Sequence, residues 1–150
     1  MKHKAEIVID ADLASVWRMF DDPDSMKKWQ PTLKTFTHKS GTPGQPDAVS
    51  ELVYDENGRE VIMTETITAR SEPNFLGGTY EARGMNVVIV NHFKATADNQ
   101  TLWTMNAKYG FKGIMKIMAL FMRKSICARS DTDMNRFKLL VETAVARAGK

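Results

Sequence analysis

The sequence predicts one α+β domain over residues 1–150: a curved antiparallel sheet of about seven strands, two short helices after the first strand, and one long C-terminal helix. Three observations carry this. Between Thr32 and Phe111 apolar and polar residues alternate with period two, broken by turn-forming residues. From Gly113 to about Ala148 the apolar period becomes helical, with no proline or glycine inside. Ahead of both lie two short segments, each opened by an aspartate placed to cap a helix. A chain of 150 residues with 43% apolar and 26% charged side chains suits one domain with its own core.

Residues 4–10 read as a strand. Asp12 then caps a helix over Leu13–Phe20. Asp22 opens a second helix with Pro23 in its first turn, where the missing N–H costs nothing, and Trp29-Gln30-Pro31 ends it. Thr32–Lys39 is the next strand. Ser40–Asp47, with Gly41, Pro43, Gly44 and Pro46, is a loop. Val49–Asp55 and Arg59–Arg70 flank Asn57-Gly58, a strong hairpin signal. Phe75–Arg83, Val87–Ala97 and Thr101–Phe111 complete an antiparallel meander. Gly77-Gly78 inside a strand fits a bulge or sharp bend.

The long helix is apolar on more than one side. At ~100° per residue, Met122, Ile126, Met134, Phe137, Val141, Ala144 and Ala148 form a stripe that can close a core. Ile114, Ile117, Met118 and Phe121 project onto a second face. That face either packs on the short helices or meets something apolar, and the methionines Met115, Met118 and Met122 suit an adaptable contact.

Alternation assigns the strand faces. Trp103, Met105, Ala107, Tyr109 and Phe111 point toward the helix, as do Val87, Ile89, Asn91 and Phe93. Val61, Met63, Glu65 and Ile67 are assigned inward although Ile62 argues for the opposite register; Tyr54 and Tyr80 are inner candidates. Glu65, Asn91, Tyr80 and Tyr109 inside a core need partners. They either satisfy one another or orient the polar end of a ligand.

Several chemistries lack their residues. The net charge of +3 is spread over scattered lysines and arginines, which argues against nucleic-acid binding. His3, His38 and His92 fall on different strands, and Cys127 is the sole cysteine, so no metal site or disulfide is expected. Asp21, Asp22 and Asp24 are read as capping groups. No phosphate loop or nucleophile elbow is present, and no cofactor is expected. The first residues show no leader pattern, and no stretch approaches the ~20 apolar residues that span a bilayer, so a cytoplasmic location is expected.

Ile9-Asp10-Ala11-Asp12-Leu13-Ala14-Ser15-Val16-Trp17, then Phe20-Asp21-Asp22-Pro23, then Trp29-Gln30-Pro31 resemble the N-terminal signature of the SRPBCC superfamily. That superfamily includes polyketide cyclase/dehydrase-like, START-type and birch-pollen-allergen-type proteins. The resemblance implies the helix-grip fold, with a hydrophobic cavity between sheet and C-terminal helix. It carries over no catalytic residue.

The expected function is binding, or transport, of a small hydrophobic or lipid-like molecule. Its lining would be Met63, Glu65, Tyr80, Asn91, Phe93, Trp103, Met105, Tyr109, Phe111, Met115, Met118 and Met122, with Trp29 and the Ser40–Asp47 loop near an entrance. One alternative is a cyclase, aromatase or dehydratase, for which Glu65 is the candidate acid–base group. A second is an interaction module, making a homodimer or a peripheral membrane contact through Ile114, Ile117 and Phe121, flanked by Lys116, Arg123 and Lys124.

Overall fold

A computed structural model describes residues 1–149. Strand β1 (Lys2–Ile9) is followed by helices α1 (Leu13–Phe20) and α2 (Pro23–Trp29). Six strands come next: β2 (Leu33–Ser40), β3 (Val49–Glu56), β4 (Arg59–Ser71), β5 (Phe75–Ala82), β6 (Met85–Ala97) and β7 (Gln100–Phe111). Helix α3 (Ile114–Ala148) ends the fold. The sheet runs β1-β7-β6-β5-β4-β3-β2, antiparallel throughout. Helix α3 packs on β1, α2, α1 and β7, gripped by the curved sheet. This is the helix-grip α+β fold.

Local chemistry explains the boundaries. The Asp12 carboxylate accepts from Ser15 N (3.0 Å) and Ser15 Oγ (2.7 Å), capping α1. Asp22 accepts from Asp24 N at 3.0 Å and caps α2 just ahead of Pro23. Asn57 (φ 54°) and Gly58 (φ 85°) both take the left-handed conformation that a two-residue hairpin demands. Opposite Gly77-Gly78 the register slips between Ile67 and Ala69, so the extra residue of the bulge, Thr68, belongs to β4.

The core is aromatic. Phe137 is fully buried, with ring centroids 5.1 Å from Trp103, 5.3 Å from Trp29 and 5.9 Å from Phe20. Phe93 stacks on Trp103 at 5.7 Å and meets Trp17 edge-on at 5.9 Å. Burial of each ring stabilises by roughly 2–3 kcal/mol. Ile9, Val16 and Val141 seal the cluster.

The predicted helix stripe holds in the second half of α3, where Met134, Phe137 and Val141 are buried. It fails at both ends. Met122 is 38% exposed, while Ala119 is buried and Met115 and Met118 are half-buried. The face that α3 presents to the protein rotates there, because the first turns lie beside the β5–β6 turn: a side chain on Gly84 would stand 2.7 Å from Met115 Cγ. Ala148 is exposed because the last turns run on past the end of β1, where Glu142 meets Asp10 N at 3.2 Å.

Candidate functional site

One cross-strand row on the concave face carries polar groups. Ser50 pairs with Glu65, Glu65 with Tyr80, Tyr80 with Val87, and Val87 with Tyr109. Ser50 and Glu65 are 4% and 7% exposed, while Ile62 on the outer face is 49% exposed, so β4 turns Glu65 inward. Tyr80 is the cross-strand partner of Glu65, and its hydroxyl acts on the carboxyl's titration. A Cβ added at Gly78 would press on Thr66 O at 3.3 Å and make an ordinary contact with Tyr80 Cε2 at 3.5 Å.

Burial raises the pKa of Glu65 above 4.5, and the hydrogen bond from Tyr80 only partly offsets it. Tyr80 is raised well above 10, by burial and then by the Glu65 charge. Tyr54, 8% exposed, donates to Gln30 Oε1 at 2.9 Å and is likewise raised by burial.

Helix α3 closes the other side with polar residues. The Arg129 guanidinium lies 5.3 Å over the Tyr54 ring, donates to Thr32 Oγ1 at 2.6 Å and pairs with Glu56. It thereby joins α3 to the β2–β3 side of the sheet. Burial raises Asp133, against the pull of Arg129 and Arg136. Tyr109 is raised chiefly by burial, with Ser130 pulling the other way. Between them the concave face and α3 hold two carboxyls, Glu65 and Asp133, displaced toward their neutral forms by burial, and three tyrosines whose pKa burial raises. Such a set donates hydrogen bonds to a carbonyl or hydroxyl. Among the described residues no three His, Cys, Asp or Glu side chains converge as metal ligands.

The expected lining residues divide into two groups. Glu65 and Tyr80 meet directly, and Met63 packs beside Tyr80 on the cluster of Leu33, Leu52 and Tyr54. Tyr109 and Phe111 stack at 6.2 Å. Phe93, Trp103, Met105 and Asn91 lie at the other end of the concave face, inside the closed aromatic core. There Trp103 Nε1 donates to Asn91 Oδ1 at 3.0 Å, and Asn91 Nδ2 donates to Leu76 O at 3.4 Å. Met115 and Met118 are half-buried, and Met122 faces outward.

Trp29 is not at an entrance. It is 6% exposed and packed against Phe20, Trp103 and Phe137, because α2 turns its apolar side to α3. The Ser40–Asp47 loop is tied down: Arg70 donates to Gly44 O at 3.1 Å and to both Asp21 oxygens at 2.6 and 2.7 Å, with its guanidinium 5.2 Å over Trp17. A cleft of about 440 Å³ between Trp17, Asp21 and Pro73, and one of about 400 Å³ between β1 and α3, lie apart from the Glu65 row.

Arg129, Ser130, Asp133 and Ser50 are additions that sequence reasoning missed. For Ser130 and Asp133 the signal was present: Ile126, Ser130, Asp133 and Phe137 recur at helical spacing, which puts two polar residues on a stripe with a core phenylalanine.

A model of the family described as polyketide cyclase / dehydrase and lipid transport matches residues 2–142. The chain belongs to this family. No curated protein matches it in sequence. Among solved structures, the Zhui aromatase/cyclase from Streptomyces sp. R1128 is similar with a TM-score of 0.85 at 14% identity, over 99% of this chain and 98% of that one. A START superfamily protein from Mycobacterium smegmatis gives 0.71 at 11% identity, over 98% of each chain. Ara h 8.0201 gives 0.67 at 16%, over 91% of this chain and 97% of that one. These likenesses concern the fold alone.

Proposed function

We propose that this protein binds a small hydrophobic molecule carrying a carbonyl or hydroxyl group, between the concave face of the sheet and α3. The polar end meets Glu65 and Tyr80. Met63, Tyr109, Phe111, Met115 and Met118 take the apolar body, and the core of Asn91, Phe93, Trp103 and Met105 is the floor. The observation that carries this reading is a buried carboxyl held toward its neutral form against a tyrosine hydroxyl, on the concave side of a helix-grip sheet. A neutral carboxyl donates one hydrogen bond and accepts others, so it orients an oxygen without charge burial.

Native mass spectrometry of the purified protein, against the same sample denatured, tests it. The expected result is an added mass that denaturation releases, or that appears on incubation with hydroxylated or keto aromatic and lipid-like compounds. A mass that stays at the bare chain across such a panel rejects the reading.

One observation favours a catalytic version. Glu65, its pKa raised by burial, pairs across strands with Tyr80 in a fold shared with an aromatase/cyclase. In that version Glu65→Gln abolishes turnover and leaves binding in place; loss of both, or of neither, excludes Glu65 as the acid–base group.

A further inference from the structure

The first half of α3 leaves an apolar surface uncovered. Ile114, Ile117, Leu120 and Phe121 are 72%, 62%, 80% and 83% exposed. At ~100° per residue they occupy one arc of about 120°, while Met115, Met118 and Ala119 take the side toward the protein. Four large apolar side chains so arranged form a contiguous surface rather than scattered exposure.

The charges around this arc have one sign. From Lys112 to Ser130 the chain carries Lys112, Lys116, Arg123, Lys124 and Arg129, and no aspartate or glutamate. Arg129 is engaged with Glu56 and Thr32. The other four are exposed, and among the described residues none has a carboxylate within ion-pair distance. Lys124 falls within the apolar arc, where a four-carbon stem can lie along apolar surface and lift its ammonium to a polar layer.

The start of the helix adds to this. Gly113 (φ 61°) supplies no side-chain cap, and the first turn holds no acidic residue. Lys112 and Lys116 stand beside the positive end of the helix dipole, so the protein itself does not neutralise that end.

We propose that the first half of α3 docks on an anionic phospholipid surface. Phe121, Ile114, Ile117 and Leu120 enter the boundary of the acyl chains, and Lys112, Lys116, Arg123 and Lys124 meet the headgroup phosphates. An apolar arc edged by cations and lying in the membrane plane is the pattern of an interfacial helix. No described helix is long and apolar enough to cross a membrane. A second copy of the chain fits less well. A two-fold contact through this face would set Lys116, Arg123 and Lys124 against the same cations, with no acidic residue in the segment to receive them. The docking does not depend on whether the space beneath α3 holds a ligand.

Co-sedimentation of the full chain with vesicles tests it, comparing phosphatidylcholine alone with phosphatidylcholine containing phosphatidylglycerol. The wild type should sediment with the anionic vesicles, sediment far less with the neutral ones, and be released by high salt. Each charge near the surface is worth about a fivefold change in partitioning. The triple variant Lys116→Gln, Arg123→Gln, Lys124→Gln should therefore bind on the order of a hundredfold more weakly. Phe121→Asp, at a site 83% exposed, should weaken binding with an unchanged circular dichroism spectrum. Wild type remaining in the supernatant with anionic vesicles overturns the proposal. So do two variants that sediment as the wild type does. A solution dimer that Phe121→Asp dissociates overturns it in favour of the second copy.

Discussion

Replacing Glu65 with glutamine removes a titration that folding makes unfavourable. An unfolded glutamate releases its proton around its ordinary value of 4.5, whereas burial makes folded Glu65 hold its proton to higher pH. Between those two values the unfolded chain has lost a proton that the native chain keeps. The free energy of unfolding therefore falls as pH rises, by at most about 1.4 kcal/mol per pH unit for one group. Below the unfolded value both states are protonated and there is no penalty; above the folded value the slope returns to zero with the full penalty in place.

Glutamine nearly matches the shape and can still accept from Tyr80, but cannot ionise. Unfolding in urea, measured for both proteins from about pH 4 to 8, isolates the effect. Subtracting the two curves cancels Asp133 and every other group common to both. The difference should be flat at the acid end and then move in favour of Glu65→Gln as pH rises, with a slope approaching but not exceeding about 1.4 kcal/mol per unit. Parallel curves across the range would refute the buried, displaced carboxyl. A difference that moves in favour of the wild type with rising pH would mean that a cation holds Glu65 charged, the opposite of the argument.

Two other substitutions probe the scaffold. Trp103→Phe keeps the ring stack on Phe93 but leaves Asn91 Oδ1 without its donor, at a cost of about 1–3 kcal/mol. In a domain of this size that lowers the melting temperature by roughly 2–4 °C per kcal/mol, and an unchanged melting temperature contradicts it. Arg70→Met removes charge-assisted bonds to Asp21 and the bond to Gly44 O, costing about 1.5–3 kcal/mol. Limited proteolysis should then cut the Ser40–Asp47 loop sooner, and an unaltered cleavage rate contradicts the tie.

The elements were legible because their signals are local. Asn57-Gly58, the Asp12 and Asp22 caps and the alternation in β6 and β7 each depend on a few neighbouring residues. The inward turn of Glu65 was less legible, because Ile62 offers an apolar pattern on the opposite face; pairing with Ser50 and Tyr80 decides it. The periodicity of α3 was legible, but not which of its residues are covered. Coverage depends on where the sheet and the β5–β6 turn end, so Met122 lies outside while Ala119 lies beneath. Trp29 misled for the same reason: a short helix advertises an apolar side but not the neighbour it meets. Arg129 and Asp133 carried no assignment from the sequence, and α3 turns them toward Tyr54.

The placement of β1 beside β7 sets an order of events. Strands β3 to β7 each pair with the strand just before, so a growing chain can zip β2 to β7 one after another as they emerge. Strand β1, the earliest of the sheet, must wait for β7, its latest: Ile7 meets Trp103, and Ile9 meets Thr101. Until then the apolar side of β1 has no cover, and β7 has a bare edge that any other strand could join. Helix α3, which rests on β1, comes later still. This domain therefore closes its core only after β7 and α3 have been made, and a chain interrupted before Phe111 would keep an open sheet and an unclaimed β1.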